Sequence, residues 1–213
     1  MLKSNKRTVL GIAIASCMGL LPVAFVYAQN ANNSVVIAQA LTNADIEGLK
    51  FMREEEKMAR DVYQTLDRQW NVRSFSNIAE AEQRHMNRVK MVMESYGVVD
   101  PVVNDQVGVF TNPQLSAMYV QLVKRGQTSR QEALKVGALI EETDIKDLRD
   151  RLNATADPQL KNLYNNLLQG SYNHLQAFVR QIERQGGSYI PQVLSQQEVK
   201  AILDRGQSRG WMR

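Results

Sequence analysis

Four stretches of the chain repeat apolar residues at spacings of three and four, and each stripe meets an ionisable residue near its middle. The first runs Leu49, Met52, Glu56, Ala59, Tyr63, Leu66, and the second runs Phe75, Ile78, Glu82, His85, Val89, Val92, Tyr96. The third is Leu134, Ala138, Glu141, Ile145, Leu148, Leu152, with Asp144 about one turn beyond Glu141. The fourth is Leu160, Leu163, Leu167, Gly170, His174. Such spacing is that of a helix burying one face. No alternating run demands a sheet, so the chain reads as all-α. The pattern also says that both histidines of the protein, His85 and His174, lie on core-facing stripes.

The spacing predicts helices over 43–69, 74–97, 129–153 and 157–185. Ser129 with Glu132 forms a capping-box sequence at the third, and Asp157-Pro158 gives the fourth a cap and a first-turn proline. The connections near 70 and 155 are short. Between 97 and 128 lies a long crossover, with Asp100-Pro101, Gly108 and a short helix opened by Asn112-Pro113. Two tight hairpins joined by one crossover form a four-helix bundle of known connectivity. Gly186-Gly187 closes it, and Ser195 with Glu198 caps a short C-terminal helix within 188–213. The bundle itself is expected over 43–187.

Glu56, His85 and Glu141 fall close to the midpoints of their helices, and His174 lies within a turn of its own. Helices of similar length packed side by side bring their midpoints to one level. An isolated buried carboxylate costs several kcal/mol, against a total domain stability of about 5–15 kcal/mol. Three carboxylates in one slab of core therefore call for a compensating charge. A divalent cation supplies it, and a Glu-x-x-His pair such as Glu82 with His85 presents two ligands from one side of a helix. Asp144 joins the candidates as a ligand or as a hydrogen-bonding neighbour of the ligands.

Each candidate also has a plain structural reading. Glu82 and His85 alone would suit a surface pair or a hydrogen-bonded core histidine, and His174 a satisfied core residue. Glu141 could pair with Arg60 or Arg84. Glu54, Glu55 and Glu56 are consecutive and cannot all face inward at about 100° per residue, so Glu54 and Glu55 are expected in solvent. Glu142 loses to Glu141 on phase. Tyr63 and Tyr172 read as packing in preference to hydrogen-bond donors beside the ligands or redox-active neighbours, and Met52, Met58, Met86, Met91 and Met93 as core filling.

The first 28 residues read as an export signal. Lys3, Lys6 and Arg7 precede an apolar run, and Val26-Tyr27-Ala28 suits cleavage after Ala28. A membrane span is the competing reading, and lipidation at Cys17 a further one. Residues 29–42 are expected to be a flexible leader. Without the signal the net charge drops from +4 to +1, and no basic cluster suited to nucleic acid remains. Cys17 is the sole cysteine, so any metal in the mature chain has only oxygen and nitrogen ligands. A periplasmic or secreted protein with no membrane anchor is expected, and the sequence leaves monomer and homodimer open.

The motifs EEEKMARDVY, FSNIAEAEQRH, ALKVGALIEETDIKDL and GSYNHLQAF resemble the rubrerythrin branch of the ferritin-like superfamily. Over about 43–182 the chain looks more closely like the bacterial and archaeal family named domain of unknown function 2202. The rubrerythrin pattern Glu-x-x-Ala-Arg-x-x-Tyr falls on Glu56, Ala59, Arg60 and Tyr63. Phe-x-x-Ile-Ala-x-x-Glu-x-x-His falls on Phe75, Ile78, Ala79, Glu82 and His85, which makes Glu82 the implied bridging ligand. The resemblance implies a ferritin-like fold and metal ligands at Glu56, Glu82, His85, Glu141, Asp144 and His174. It further implies non-haem iron, as one or two ions, with ferroxidase- or peroxidase-type activity; manganese and zinc are the other candidate ions. Ser171 stands where a second bridging glutamate is expected, which leaves the number of ions open. It also keeps alive a redox-inactive bundle acting as a binding or envelope-stress module.

Overall fold

The computed structural model describes residues 40–208, and the expected export signal and nearly all of the leader lie outside them. Six helices and no strands are found among the described residues. They are α1 (Asn43–Trp70), α2 (Arg73–Ser95), α3 (Pro113–Gly126), α4 (Arg130–Ala154), α5 (Pro158–Arg184) and α6 (Gln196–Ser208). None is long and apolar enough to cross a membrane.

Helix starts follow local chemistry. Thr42 and Asp45 form a reciprocal capping box at α1, and Asp157 accepts from the amides of Gln159 and Leu160 at α5. Ser195 and Glu198 cap α6 reciprocally. At α4 only half of the expected box exists. Ser129 accepts from the Glu132 amide, but the Glu132 carboxylate turns away to Arg125 and Lys135. Two neighbouring cations outcompete one backbone N–H.

Helices α1 and α2 form one antiparallel hairpin and α4 and α5 the other, and α2 packs on α5 and α1 on α4. The expected stripes face this shared core. Leu49, Met52, Tyr63, Leu66, Phe75, Val89, Leu134, Ile145, Leu148, Leu160 and Leu167 are fully buried. Toward one end, the rings of Tyr63, Phe75 and Phe178 meet at centroid distances of 6.0, 5.2 and 5.5 Å. Val92 and Tyr96 are only half-buried, while Met93 is fully enclosed. Met91 is exposed rather than core filling. The inward stripe of α2 thus drifts by about one residue over its last turn.

Helix α1 departs most from a one-faced helix, for every residue from 52 to 63 is buried. Its second face lies beneath the crossover. Arg53 pairs with Asp100 at 3.0 Å and Arg60 with Asp105 at 2.7 Å. Lys57 reaches Asp61 at 2.6 Å and donates to the Gln106 carbonyl. Asp61 accepts from the Gly108 amide, and Glu54 from the amides of Thr111 and Asn112. Charges that a surface helix would show to water here satisfy the backbone of a loop that has no ladder of its own. Glu54 is therefore not in solvent, contrary to expectation.

Candidate metal centre

Glu56 on α1, Glu82 and His85 on α2, Glu141 on α4 and His174 on α5 converge at mid-height of the bundle. Two trios result: Glu56, Glu82 and His85, and Glu82, Glu141 and His174. Within each, one potential ligand atom per residue lies within 4.8 Å of the others. Glu82 belongs to both. Its Oε2 lies 2.7 Å from His85 Nδ1, and its Oε1 lies 2.8 Å from His174 Nδ1. Glu56 Oε2 approaches His85 Nδ1 at 3.2 Å, and Glu141 Oε2 approaches His174 Nδ1 at 3.5 Å. The two imidazoles stack at 5.6 Å with 29° between their planes.

Direction matters beside distance. Glu82 Oε1 and His174 Nδ1 are close, yet neither has a partner in hydrogen-bond geometry, and Glu56 Oε1 lacks one too. Buried polar atoms are rarely left so. Around His174, ligand atoms gathered within 4.8 Å without a hydrogen bond between Nδ1 and Glu82 Oε1 fit a shared cation, while His85 Nδ1 hydrogen-bonds Glu56 Oε2. The donor set of carboxylate oxygens and imidazole nitrogens suits iron, manganese or zinc, so the residues present fit a metal.

Charges in the metal-free cluster settle by proton sharing. Burial pushes the Glu56 carboxyl up to about 7, against the pull of His85. Burial also disfavours charge on both imidazoles, but the carboxylates beside them win. Glu56 and Glu82 bring His85 to about 11, and Glu82 and Glu141 bring His174 to about 10. Glu82 feels the same burial, yet the two histidines hold it below the usual carboxylate range. Glu141 is raised by burial and by Glu82. Its Oε1 accepts from the Tyr63 hydroxyl at 2.5 Å, so Tyr63 orients a site carboxylate as well as packing against two phenylalanines.

Asp144, expected among the ligands, lies in neither trio. Its Oδ2 accepts from the Ser171 hydroxyl, and burial pushes its carboxyl well up, with Glu56 and Glu141 adding to the effect. The residue standing in place of the helix α5 carboxylate thus holds a carboxylate of α4. Arg60 does not reach Glu141, being taken by Asp61 and Asp105. Glu142 is wholly buried by a different device: its Oε2 accepts from the amides of Gln192, Val193 and Leu194 at 3.0, 2.7 and 2.9 Å.

Two features of the site do not follow from the phase of a single helix. Glu55, expected in solvent, is buried, and burial followed by repulsion from Asp144 and Asp147 pushes its carboxyl well up. Gly170 is a space rather than a side chain: a Cβ there would sit 2.4 Å from His85 Cε1 and 2.5 Å from Nε2. A glycine facing a histidine across two inward stripes was the available signal.

Fold and site together define an all-α bundle with a histidine–carboxylate cluster enclosed at mid-height. The chain belongs to the family described as Uncharacterized protein domain (DUF2202), whose model matches residues 45–206. It is 47% identical over 175 residues to the uncharacterized protein MJ0754 of Methanocaldococcus jannaschii, covering 82% of this chain and 95% of that one. The crystal structure of hypothetical protein MJ0754, from Methanococcus jannaschii, is similar with a TM-score of 0.77 over 80% of this chain and 98% of that one.

Proposed function

We propose that this protein is a ferritin-like metal-binding bundle that holds non-haem iron, as one or two ions, at the two trios joined by Glu82. The observation that carries the reading is the Glu82 carboxylate, each oxygen of which faces a different histidine. Glu56 and His85 would complete one position, and Glu141 and His174 the other. Iron, when bound, supplies one-electron exchange with oxygen or peroxide, the ferroxidase- or peroxidase-type chemistry of rubrerythrin-like proteins. The chain's own residues do the rest. Glu82 spaces the two positions, Tyr63 fixes Glu141, Gly170 leaves room for His85, and the surrounding apolar side chains limit water.

Elemental analysis of protein folded with ferrous iron tests the reading, beside His85→Ala. Stoichiometric iron in the wild type, lost in the variant, supports it; equal and negligible metal in both ends it. A second reading, a redox-inactive binding or envelope-stress module, draws on Ser171, which leaves α5 without a carboxylate at that position. Iron bound without consumption of oxygen or peroxide in stopped flow would favour it. Export to the periplasm or outside the cell stays part of the proposal, resting on the first 28 residues of the sequence.

A further inference from the structure

Four carboxylate oxygens on residues lining one small cavity have no hydrogen-bond partner: Glu55 Oε2, Glu56 Oε1, Glu82 Oε1 and Asp144 Oδ1. Their residues are 2, 2, 2 and 6% exposed. The cavity is lined by these four with Glu141, Ala59 and Ile140, and by no histidine. Neither Glu55 nor Asp144 belongs to a histidine-bearing trio. Two buried acids beyond those the centre uses are costly features of a core. Ser171 moreover fixes one oxygen of Asp144, leaving the other free.

The neighbourhood has a direction. Asp147 lies one turn beyond Asp144 on α4. It also lines a surface pocket with Asp45, Asp150 and Arg151. Acidic residues therefore run from the surface pocket through Asp147 to Glu55 and Asp144, which share the cavity lining with Glu56, whose Oε2 lies 3.2 Å from His85 Nδ1.

We propose that Glu55 and Asp144 form an oxygen-only way station through which a hard divalent cation passes to Glu56 and the histidine-bearing positions. This relay rests on the metal-centre reading above. Oxygen ligands alone suit a partly hydrated divalent ion. The station holds it loosely, since among the described residues the only acid and histidine trios gathered within 4.8 Å are the two that contain histidine. A focused acidic lining raises cation arrival without needing high affinity.

Stopped-flow loading of the full mature chain with cobalt(II), followed by its visible absorption, tests the relay. The double variant Glu55→Gln/Asp144→Asn is expected to load at least about tenfold more slowly, within the range that local charge gives association rates. Its final absorbance and cobalt count should equal those of the wild type. Glu55→Gln alone should slow loading by a smaller factor, and the exposed control Glu94→Gln should not. Circular dichroism melting of the metal-free variants checks that they fold. Loading by the double variant at the wild-type rate overturns the relay, as does a lowered final count, which would make these acids resident ligands. A wild type that takes up no cobalt instead overturns the metal centre itself, and the relay with it.

Discussion

Substituting Gly170 by alanine separates the metal centre from the fold. The new Cβ would lie 2.4 Å from His85 Cε1 and 2.5 Å from Nε2. Carbon contacts settle near 3.5 Å or more, so the imidazole must retreat by about 1 Å. It cannot do so freely, because Glu56 and Glu82 flank Nδ1 at 3.2 and 2.7 Å. Two effects on stability oppose each other. Overpacking costs about 1–3 kcal/mol, while replacing glycine inside a helix returns about 1 kcal/mol. The metal-free variant should therefore unfold within about 2 kcal/mol of the wild type in urea. Affinity has no such compensation, for a ligand moved by about 1 Å misses the ion, and binding should weaken by about 10–100-fold. Competition with a chelator of known affinity reads the loss. A Gly170→Ala protein that binds iron as tightly as the wild type would refute the reasoning, showing that His85 needs no such clearance or is no ligand.

Metal loading should release protons. Below about pH 10 the metal-free protein carries protons on His85 and His174, held up by Glu56, Glu82 and Glu141. Ligation needs neutral imidazoles, so each histidine recruited gives up a proton. Apparent affinity should rise with pH through the neutral range, and at pH 8, above the Glu56 value of about 7, calorimetry in buffers of different ionisation enthalpy should read about two protons per fully loaded chain; no release there contradicts the assignment. Asp61→Ala should destabilise the protein by about 3–5 kcal/mol, because it leaves Lys57 buried without its carboxylate; chemical denaturation checks it, and a change under 1 kcal/mol would mean water reaches Lys57. Glu142→Ala removes the acceptor of three amides and should cost about 1–3 kcal/mol. Hydrogen exchange should then quicken first at residues 192–194, and protection unchanged there would show another acceptor.

Periodicity alone determined the helices and their inward faces, since an apolar stripe at three–four spacing has one energetically acceptable orientation in water. It also brought Glu56, Glu82, His85, Glu141 and His174 together, because similar helix lengths and short hairpins align midpoints. Tertiary structure decided what one stripe cannot. Glu54 and Glu55 are buried because the crossover and α4 cover faces of α1 that a helix considered by itself would leave in water. Asp144 stands apart from the trios because Ser171, on another helix, offers it a hydroxyl. Glu142 is buried because a loop some fifty residues away brings it three amides. Spacing along the chain fixes which way a side chain points from its own helix. Which partner waits there is settled only when distant segments pack, since the hydrogen bonds and charges that make burial tolerable come from them.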